Sequence, residues 1–448
     1  MFQILARRSS TSRLLKAALC ALPLACSGGG ADQGHSSPPG AEELQAEVLA
    51  DWADLHYALV KADGVAPPRA AREYGCVGVV AWEAVAAEVE GGRSLAGQLN
   101  SLAAGAVPDP EGRIHAGVAL NHACATALRS FHPTRVAQID ALEEEWDAQH
   151  AAQASAEVLA RSQAHGDAVA LAVEEWMASD GSDSTDCTAF GGAIVPHEQG
   201  GWIPSPGAAM PGVVPCWGAV RPMAAQVAPA CEPAQAPRWS SSPDSVWYAH
   251  GLLVRNTGAN LSAEEEQIAR YWADNAGATG TPPGHWWALA AQLSRERDAN
   301  LAEASRTFAE LGVVVCDAFI NCWRVKYDTY LERPQSYVTE RIDDRWTPLL
   351  GTPNFPTYTS GHATQSGAAL VVLEARFGAG AFVDETHARL NPELGHAPRA
   401  YASFEAAAQE AAVSRLYGGI HFVFDNEDGV GFGRCIAADA LSRLAFEE

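Results

Sequence analysis

The chain has 448 residues, of which 48% are hydrophobic and 8% aromatic, and its formal net charge is −24. This length can bury a large core, and no apolar run is long enough to span a bilayer, so we expect a globular protein without a transmembrane helix. The negative charge repels nucleic acids and anionic membranes and argues against both as partners, and it requires any anion site to be a local cluster of Lys and Arg.

The first 26 residues have the features of an export signal, a basic start followed by an apolar stretch. Cys26, followed by Ser27 and three glycines, is typical of the lipid-modified cysteine of a bacterial lipoprotein, although Pro23 stands where such a signal normally has Leu. Lipid anchoring through Cys26 and ordinary cleavage a few residues later both stay open. In either case we expect the mature protein to be periplasmic or extracellular. Residues 27–40, rich in Ser, Gly and Pro, are predicted to be a flexible tether.

From residue 41 onward the apolar residues recur at helical spacing, which predicts an all-α domain over residues 41–448. Residues 179–245, rich in Pro, Gly, Ser and Cys, break this pattern and are predicted to form a long loop. Ser262 and Glu265 form a capping box, which predicts a helix start. The other predicted helices cover about 44–60, 111–131, 136–146, 154–178, 299–332 and 429–445, with two more that begin near Ser360 and Ser403.

Beyond the predicted signal the chain has an even number of cysteines. In an exported protein this predicts disulfides, although the pairing cannot be read from the sequence. No two of them form a CxxC pair, so their spacing does not indicate a zinc site. The eight are Cys76, Cys124, Cys187, Cys216, Cys231, Cys316, Cys322 and Cys435.

Three short segments in the last third of the chain combine residues that suit an anion site. The first runs from Lys326 to Arg333 and Pro334. Seven residues are close to two helical turns, so a helix through both cations would place them on one face. Two cations on one face repel each other unless an anion lies between them, although a solvated helix face explains the spacing as well.

The second segment runs from Phe355 to His362, where a loop turns into a predicted helix. A helix start offers unpaired backbone N–H groups and the positive end of the helix dipole, which together attract an anion. Ser360 adds a hydroxyl donor, and Gly361 allows the backbone to approach a ligand closely. An ordinary helix cap explains Ser360 but not the Gly361-His362 pair that follows it.

The third segment carries Arg415, His421 and Asp425. A predicted helix delivers Arg415 and ends at Gly418-Gly419, after which the chain presents His421. Asp425 either orients one nitrogen of an imidazole and leaves the other free, or is an ordinary surface carboxylate of the acidic run in which it stands.

Together these segments supply three cations, a helix start and two histidines, a set that suits an anion with a reactive axial position. Their order, K-x6-R-P, then S-G-H, then S-R-x5-H, resembles the superfamily of vanadium haloperoxidases and type 2 phosphatidic acid phosphatases. The resemblance covers most of residues 190–435, with the anion site in residues 316–435. The upstream segments G-W-I-P-S-P at 201–206, W-A-D at 272–274 and T-P-P-G-H-W at 281–286 are similar to long-form bacterial haloperoxidase-like proteins. Small membrane-embedded phosphatases lack these segments, which favours the haloperoxidase branch.

This resemblance implies a fold of two packed antiparallel helical bundles and a vanadate cofactor, with no haem, nicotinamide or flavin. It implies that His421 bonds vanadium directly as its axial ligand and that His362 is the general acid–base. The substrates would be hydrogen peroxide and a halide, and a small organic acceptor stays open. The residues implied to hold the vanadate oxygens are Lys326, Arg333, Ser360, Gly361 and Arg415.

Aromatic residues beside these segments bear on the choice of halide. Phe355 and Trp323 resemble chlorinating and iodinating members of the family, whereas algal brominating enzymes have a His at the position of Phe355. We expect both rings to wall the pocket and predict no single halide from them. His197 and His285, in the upstream segments, are predicted to be structural.

Two other functions stay open at this point. In an exported acid phosphatase of the same superfamily, His421 would be the nucleophile that forms a phosphohistidine and His362 would protonate the leaving alcohol. Vanadate and phosphate have nearly the same shape, so only the upstream segments favour the haloperoxidase. A catalytically silent oxyanion-binding protein is the third interpretation, against which the two intact histidines argue. The oligomeric state is not predicted.

Overall fold

Helices dominate the computed structural model of the chain. The predicted export signal of residues 1–26, and the predicted tether as far as residue 37, lie outside the described residues. Within the described part, no helix is long and apolar enough to cross a membrane. The structure describes the chain from residue 38 to residue 448 with internal gaps at 186–193, 209, 211 and 227–230.

The described helices fall into two groups, on either side of a long irregular segment. Before that segment lie α1 (Glu47–Asp63), α2 (Pro67–Glu83), α3 (Ala116–Phe131), α4 (Val136–His150) and α5 (Ala156–Ala178). After it lie α6 (Val246–Ala259), α7 (Ala263–Tyr271), α8 (Thr281–Glu296), α9 (Leu301–Thr329), α10 (Pro334–Arg341), α11 (Gly361–Phe377), α12 (Thr386–Leu390), α13 (Phe404–Tyr417) and α14 (Val423–Leu441). A two-stranded antiparallel sheet pairs β1 (Phe382–Asp384) with β2 (Arg399–Tyr401). The predicted all-α class is confirmed.

The central helix α9 packs closely against α2, and α11 packs closely against α14. Glycines permit both approaches, because added Cβ atoms would collide with the facing backbone. A Cβ on Gly78 of α2 would lie 2.4 Å from the carbonyl oxygen of Phe308, and one on Gly433 of α14 would lie 1.8 Å from that of Thr364. These contacts fix the helices whose ends carry the predicted anion site.

Two helices that the sequence pattern did not predict, α2 and α8, are buried on nearly all sides. All residues of α8 from Thr281 to Ser294 are buried. Over this span α8 has no solvated face, so no contrast between exposed and buried positions marks it in the sequence. The predicted capping box at Ser262 is confirmed. The Ser262 hydroxyl accepts from the Glu265 N–H at 3.2 Å, and the Ser262 N–H donates to the Glu265 carboxylate at 2.8 Å.

The prediction of one helix from about 299 to 332, with Lys326 and Arg333 on the same face, is wrong. Helix α9 ends at Thr329, and Tyr330 adopts a left-handed conformation with φ 54°. Arg333 lies beyond the helix, in extended conformation, as the N-cap of α10.

Long-range backbone pairing explains why α9 ends early. The Trp202 N–H donates to the carbonyl oxygen of Tyr330 at 2.8 Å, and the Glu332 N–H donates to that of Gly200 at 2.9 Å. These bonds to the distant G-W-I-P-S-P segment replace the last predicted helical turn. The same segment borders Arg333, since Ile203 to Pro206 line a cavity of about 220 Å³ with it.

The last helix also differs from its predicted span of about 429–445. Helix α14 begins at Val423, so the acidic run that contains Asp425 lies in its first turn rather than in a surface loop. The Phe422 N–H donates to the Asp425 carboxylate at 3.0 Å and fixes this helix start.

The disulfide expectation holds for some cysteines and fails for others. Cys231 and Cys435 form a disulfide, and Cys216 is disulfide-bonded as well. Cys187 lies outside the described residues. The remaining cysteines are buried free thiols, which behave as small apolar side chains in the core. They are Cys76, Cys124, Cys316 and Cys322.

Candidate active site

The three predicted segments meet in one buried region, because each brings its polar side chains to a helix end. Helix ends leave backbone groups available to ligands, so they suit a polar site inside a helical core. Lys326 lies on the last turn of α9, Arg333 at the start of α10, Ser360, Gly361 and His362 at the start of α11, Arg415 on the last turn of α13, and His421 just before α14.

Lys326 is fully buried and is held by backbone carbonyl groups only. Its ammonium group donates to the carbonyl oxygens of Pro356 at 3.0 Å and Thr357 at 2.9 Å. The nitrogen lies 5.1 Å from the ring centroid of Phe355 and 5.8 Å from that of Trp323, so both predicted wall residues contact this corner. Burial lowers the pKa of Lys326 to about 7.

Arg333 is 2% exposed and joins the first segment to the other two. Its Nε donates to the carbonyl oxygen of Phe355 at 2.8 Å, and its Nη1 donates to that of Ile420 at 2.9 Å and to Nε2 of His421 at 3.0 Å. Its Nη2 is buried and has no hydrogen-bond partner among the described atoms. Burial lowers the pKa of Arg333 to about 9.

Arg415 is the third buried cation. It donates from Nε to the hydroxyl of Ser414 at 3.1 Å, from Nη2 to the carbonyl oxygen of Ala269 at 3.1 Å, and from Nη1 to Nε2 of His362 at 3.2 Å. Burial lowers its pKa to about 10. Among the described residues, neither Arg415 nor Lys326 nor Arg333 forms an ion pair with a carboxylate within 4.0 Å.

Asp425 fixes the orientation of His421. Its Oδ2 accepts from Nδ1 of His421 at 2.8 Å and also from the hydroxyl of Thr357. A carboxylate at Nδ1 holds the proton there, so Nε2 carries the lone pair and faces Arg333. Burial and the nearby cations lower the pKa of His421 well below its usual value, which keeps the imidazole neutral. Asp425 is itself fully buried, so the interpretation as a surface carboxylate is wrong.

The start of α11 is tied to α14. The Ser360 hydroxyl accepts from the Ala363 N–H at 3.4 Å, and the Ser360 N–H donates to the carbonyl oxygen of Asp425 at 2.9 Å. A Cβ on Gly361 would lie 3.6 Å from the ring of Trp323, an ordinary contact, so packing within the protein does not by itself require glycine there.

His362 faces the same region from the first turn of α11 and is partly exposed. Besides the contact with Arg415, it is hydrogen-bonded to the backbone of Trp272. Burial, followed by the charge of Arg415, lowers the pKa of His362 well below its usual value. A neutral imidazole at this position can accept a proton.

The upstream segments form a layer behind His362. The ring of Trp272 stacks on that of His285 at 4.4 Å, and His285 is buried between Asp274 at 2.9 Å and Asp384 at 2.7 Å. His285 thus has carboxylate partners on both nitrogens, as expected of a structural histidine. His197 lies near the surface.

Thr357 and Asp384 take part in this arrangement but were not predicted. Thr357 donates its hydroxyl to Asp425 and its carbonyl oxygen accepts from Lys326. It lies inside the second segment, so a search of that segment for further hydroxyl groups would have found it. Asp384 stands on a short strand far from every motif, and no sequence signal marks it.

The fold and the second half of the chain are similar to those of known proteins. The family model of the VCPO second helical-bundle domain matches residues 306–446. A solved structure described as the first bacterial vanadium-dependent iodoperoxidase is 33% identical, covers 92% of this chain and 99% of its own, and superposes with a TM-score of 0.81. The chain belongs to the vanadium haloperoxidase family.

Other members are more distant. A curated vanadium chloroperoxidase of Curvularia inaequalis is 31% identical over 128 residues, and the match spans 23% of this chain and about a fifth (21%) of that protein. A bacterial vanadium-dependent chloroperoxidase in holo form is 14% identical with a TM-score of 0.65, and the two share 85% of this chain and 92% of that one. Because the identity is only 14%, the similarity to the bacterial chloroperoxidase shows a shared fold alone.

Proposed function

We propose that this vanadium haloperoxidase family member binds vanadate at Lys326, Arg333 and Arg415 and oxidises a halide with hydrogen peroxide. The observation that carries the proposal is that these three buried cations have no carboxylate partner among the described residues. Buried charges are normally paired, because an unpaired charge has lost its hydration without compensation. A bound oxyanion would supply the missing negative charge.

The donors available fit a tetrahedral oxyanion. Nη2 of Arg333 is buried and unpartnered, and the Lys326 ammonium has a third proton beyond its two carbonyl acceptors. Ser360 and the backbone N–H of Gly361 add the helix start of α11. Charge-assisted hydrogen bonds of this kind are roughly twice as strong as neutral ones.

We further propose that Nε2 of His421 would hold the metal of a bound vanadate. Its Nε2 lone pair is free of a proton because Asp425 and Thr357 lie at the Nδ1 side of the ring. When bound, vanadate supplies a Lewis acid that activates hydrogen peroxide toward halide attack, without a change in oxidation state.

His362 is proposed as the general acid–base. Its depressed pKa keeps the imidazole neutral, so it can take a proton from hydrogen peroxide and later return one as the oxidised halide leaves. The overall reaction consumes hydrogen peroxide, a halide and one proton and yields hypohalous acid and water. Phe355 and Trp323, with ring centroids 4.9 Å apart, would wall the pocket without fixing the halide. A small organic molecule could accept the halogen, but none is predicted.

Export is part of the same proposal. The basic start and apolar stretch within residues 1–26, with Cys26 at their end, support a secreted or lipid-anchored enzyme. A hypohalous acid formed outside the cytoplasm would not damage the cell that makes it.

A paired assay on the purified, metal-stripped mature protein tests the proposal. One arm adds orthovanadate, hydrogen peroxide and each halide in turn and follows halogenation of an indicator dye. The other arm omits vanadate and follows hydrolysis of an aryl phosphate. Halogenation that requires vanadate is the expected result and identifies the halide.

Two outcomes would contradict the proposed reaction. Phosphate release that vanadate inhibits, without halogenation, would make the protein a phosphatase that acts through His421. Vanadate binding with neither activity would make it a silent oxyanion-binding protein.

A further inference from the structure

A second group of facing polar atoms lies outside the proposed vanadate site, among the helices α1, α2 and α3. Nε2 of His56 lies 3.8 Å and Nε2 of His132 lies 3.5 Å from Oε2 of Glu73. These ligand atoms all lie within 4.8 Å of one another. The side chains of His56 and His132 are 0% and 1% exposed, and that of Glu73 is 12% exposed. The group is therefore buried, with Glu73 at its outer edge.

None of these facing atoms has a hydrogen-bond partner among the described atoms. The unpartnered atoms are Nε2 of His56, Nε2 of His132 and Oε2 of Glu73. Unsatisfied buried polar groups are rare in folded proteins, and each requires an explanation. Here all three point at the same place.

The carboxylate of Asp63 determines which atom of His132 faces the group. Nδ1 of His132 lies 2.8 Å from Oδ2 of Asp63, and Arg135 holds the other oxygen of that carboxylate at 2.7 Å. With the proton held at Nδ1, Nε2 of His132 points a lone pair toward the oxygen of Glu73. Two acceptors at 3.5 Å repel each other unless a proton or a metal cation lies between them.

We propose that His56, Glu73 and His132 bind a zinc ion. Two imidazole nitrogens and one carboxylate oxygen form a common zinc ligand set. With bonds of about 2.0–2.1 Å, tetrahedral ligands lie about 3.4 Å apart and ligands at right angles about 2.9 Å apart. The observed separations of 3.5 and 3.8 Å match the tetrahedral geometry.

The surroundings of His132 favour its metal-binding form. Asp63 completes the carboxylate–histidine–metal arrangement that orients a ligand imidazole. The ring of His56 packs against that of Tyr74, with the ring centroids 4.4 Å apart.

The other candidate group, Asp274, His285 and His387, differs in this respect. Both nitrogens of His285 already contact carboxylates, and Nε2 of His387 donates to the carbonyl oxygen of Tyr271 at 2.8 Å. Its histidines are satisfied without a metal. Of these two groups, the one on α1, α2 and α3 has the unpartnered histidine nitrogens, and there the ion would join three helices of the first group as a structural staple.

Zinc titration of the full mature protein tests the proposal. The protein is stripped with a chelator and titrated with zinc chloride alone, and zinc and vanadium contents are measured together by mass spectrometry. Cobalt(II) then replaces zinc as a spectroscopic probe. We expect one zinc per chain, visible cobalt bands typical of tetrahedral coordination, and a higher thermal midpoint with zinc.

Variants show where the zinc binds. His132→Gln and Glu73→Gln should each weaken zinc binding at least about a hundredfold, and Asp63→Asn, which leaves every ligand in place, about 10–100-fold. His165→Gln is the matched control, a buried histidine outside the group, and should bind zinc as the wild type does. If His132→Gln or Glu73→Gln fails to fold, the zinc affinity of Asp63→Asn and the cobalt spectrum of the wild-type protein test the site instead. The proposal is overturned by a wild-type protein that takes up no zinc and gives no tetrahedral bands, or by ligand and Asp63 variants that bind zinc normally.

Discussion

Two sets of buried charges lie near each other in the second half of the chain, and they are neutralised in different ways. His285 is enclosed by Asp274 and Asp384, and although burial opposes it, these carboxylates raise the pKa of His285 to about 10. Lys326 has only carbonyl oxygens around its ammonium group, and burial lowers its pKa to about 7. The contrast separates a charge whose partner belongs to the fold from a charge whose partner is a ligand. Changes around His285 should affect the free energy of unfolding, whereas changes around Lys326 should affect vanadate binding and catalysis.

The largest effect is expected at His421. Replacing His421 by Ala removes the proposed bond to the metal and should weaken vanadate binding at least about a thousandfold, equivalent to about 4 kcal/mol. Calorimetric titration of metal-stripped protein with orthovanadate measures this. His197→Ala, at a histidine near the surface, is the control and should bind normally. Unchanged affinity in His421→Ala would show that another group holds the metal.

The next change tests the paired charges. Asp384→Asn leaves the buried imidazolium of His285 with one carboxylate, and breaking a buried pair costs about 3–5 kcal/mol of unfolding free energy. Urea denaturation measures the loss, and the exposed Asp344→Asn serves as control. The folded variant should keep its vanadate affinity. A variant of normal stability with impaired vanadate binding would reverse the assignment of the two charge sets.

His362→Ala should affect rate rather than binding. Because the proposed role is proton transfer, the halogenation rate should fall roughly 10²–10⁴-fold while vanadate affinity stays close to that of the wild type. Steady-state kinetics at saturating vanadate, beside His197→Ala, separates the two quantities. Full activity in His362→Ala would mean that the proton acceptor is a different group.

Asp425→Asn should have the smallest of these effects. The amide oxygen can still accept from Nδ1 of His421, but the negative charge that favours this tautomer is lost, so vanadate affinity should fall about 10–100-fold. Glu427→Gln changes an exposed carboxylate on the same helix and should bind as the wild type does. Equal affinities in the two variants would remove Asp425 from the site.

The sequence predicted the candidate site better than the path of the chain through it. Lys326, Arg333, His362 and His421 lie in short motifs whose residue types indicate an anion ligand, and the structure brings them together; their roles stay predictions. The end of α9 could not be predicted, because it depends on backbone pairing with residues 200–202, more than a hundred positions away.

Two further features were invisible for physical reasons. Helix α8 is buried from Thr281 to Ser294, so no solvated face marks it in the sequence. His56, Glu73 and His132 are separated by 17 and 59 residues (73 − 56 and 132 − 73), so no motif spacing links them before the helices pack.

Lys326, Arg333 and Arg415, which have no carboxylate partner among the described residues, are proposed to form an oxyanion site. Titration of metal-stripped wild-type protein with orthovanadate tests this site, with binding measured by calorimetry and stability measured by thermal unfolding. We predict one site per chain and a thermal midpoint that rises with vanadate, corresponding to about 2.7 kcal/mol at a hundred times the dissociation constant. A titration without heat, at a thermal midpoint that vanadate leaves unchanged, would contradict the account.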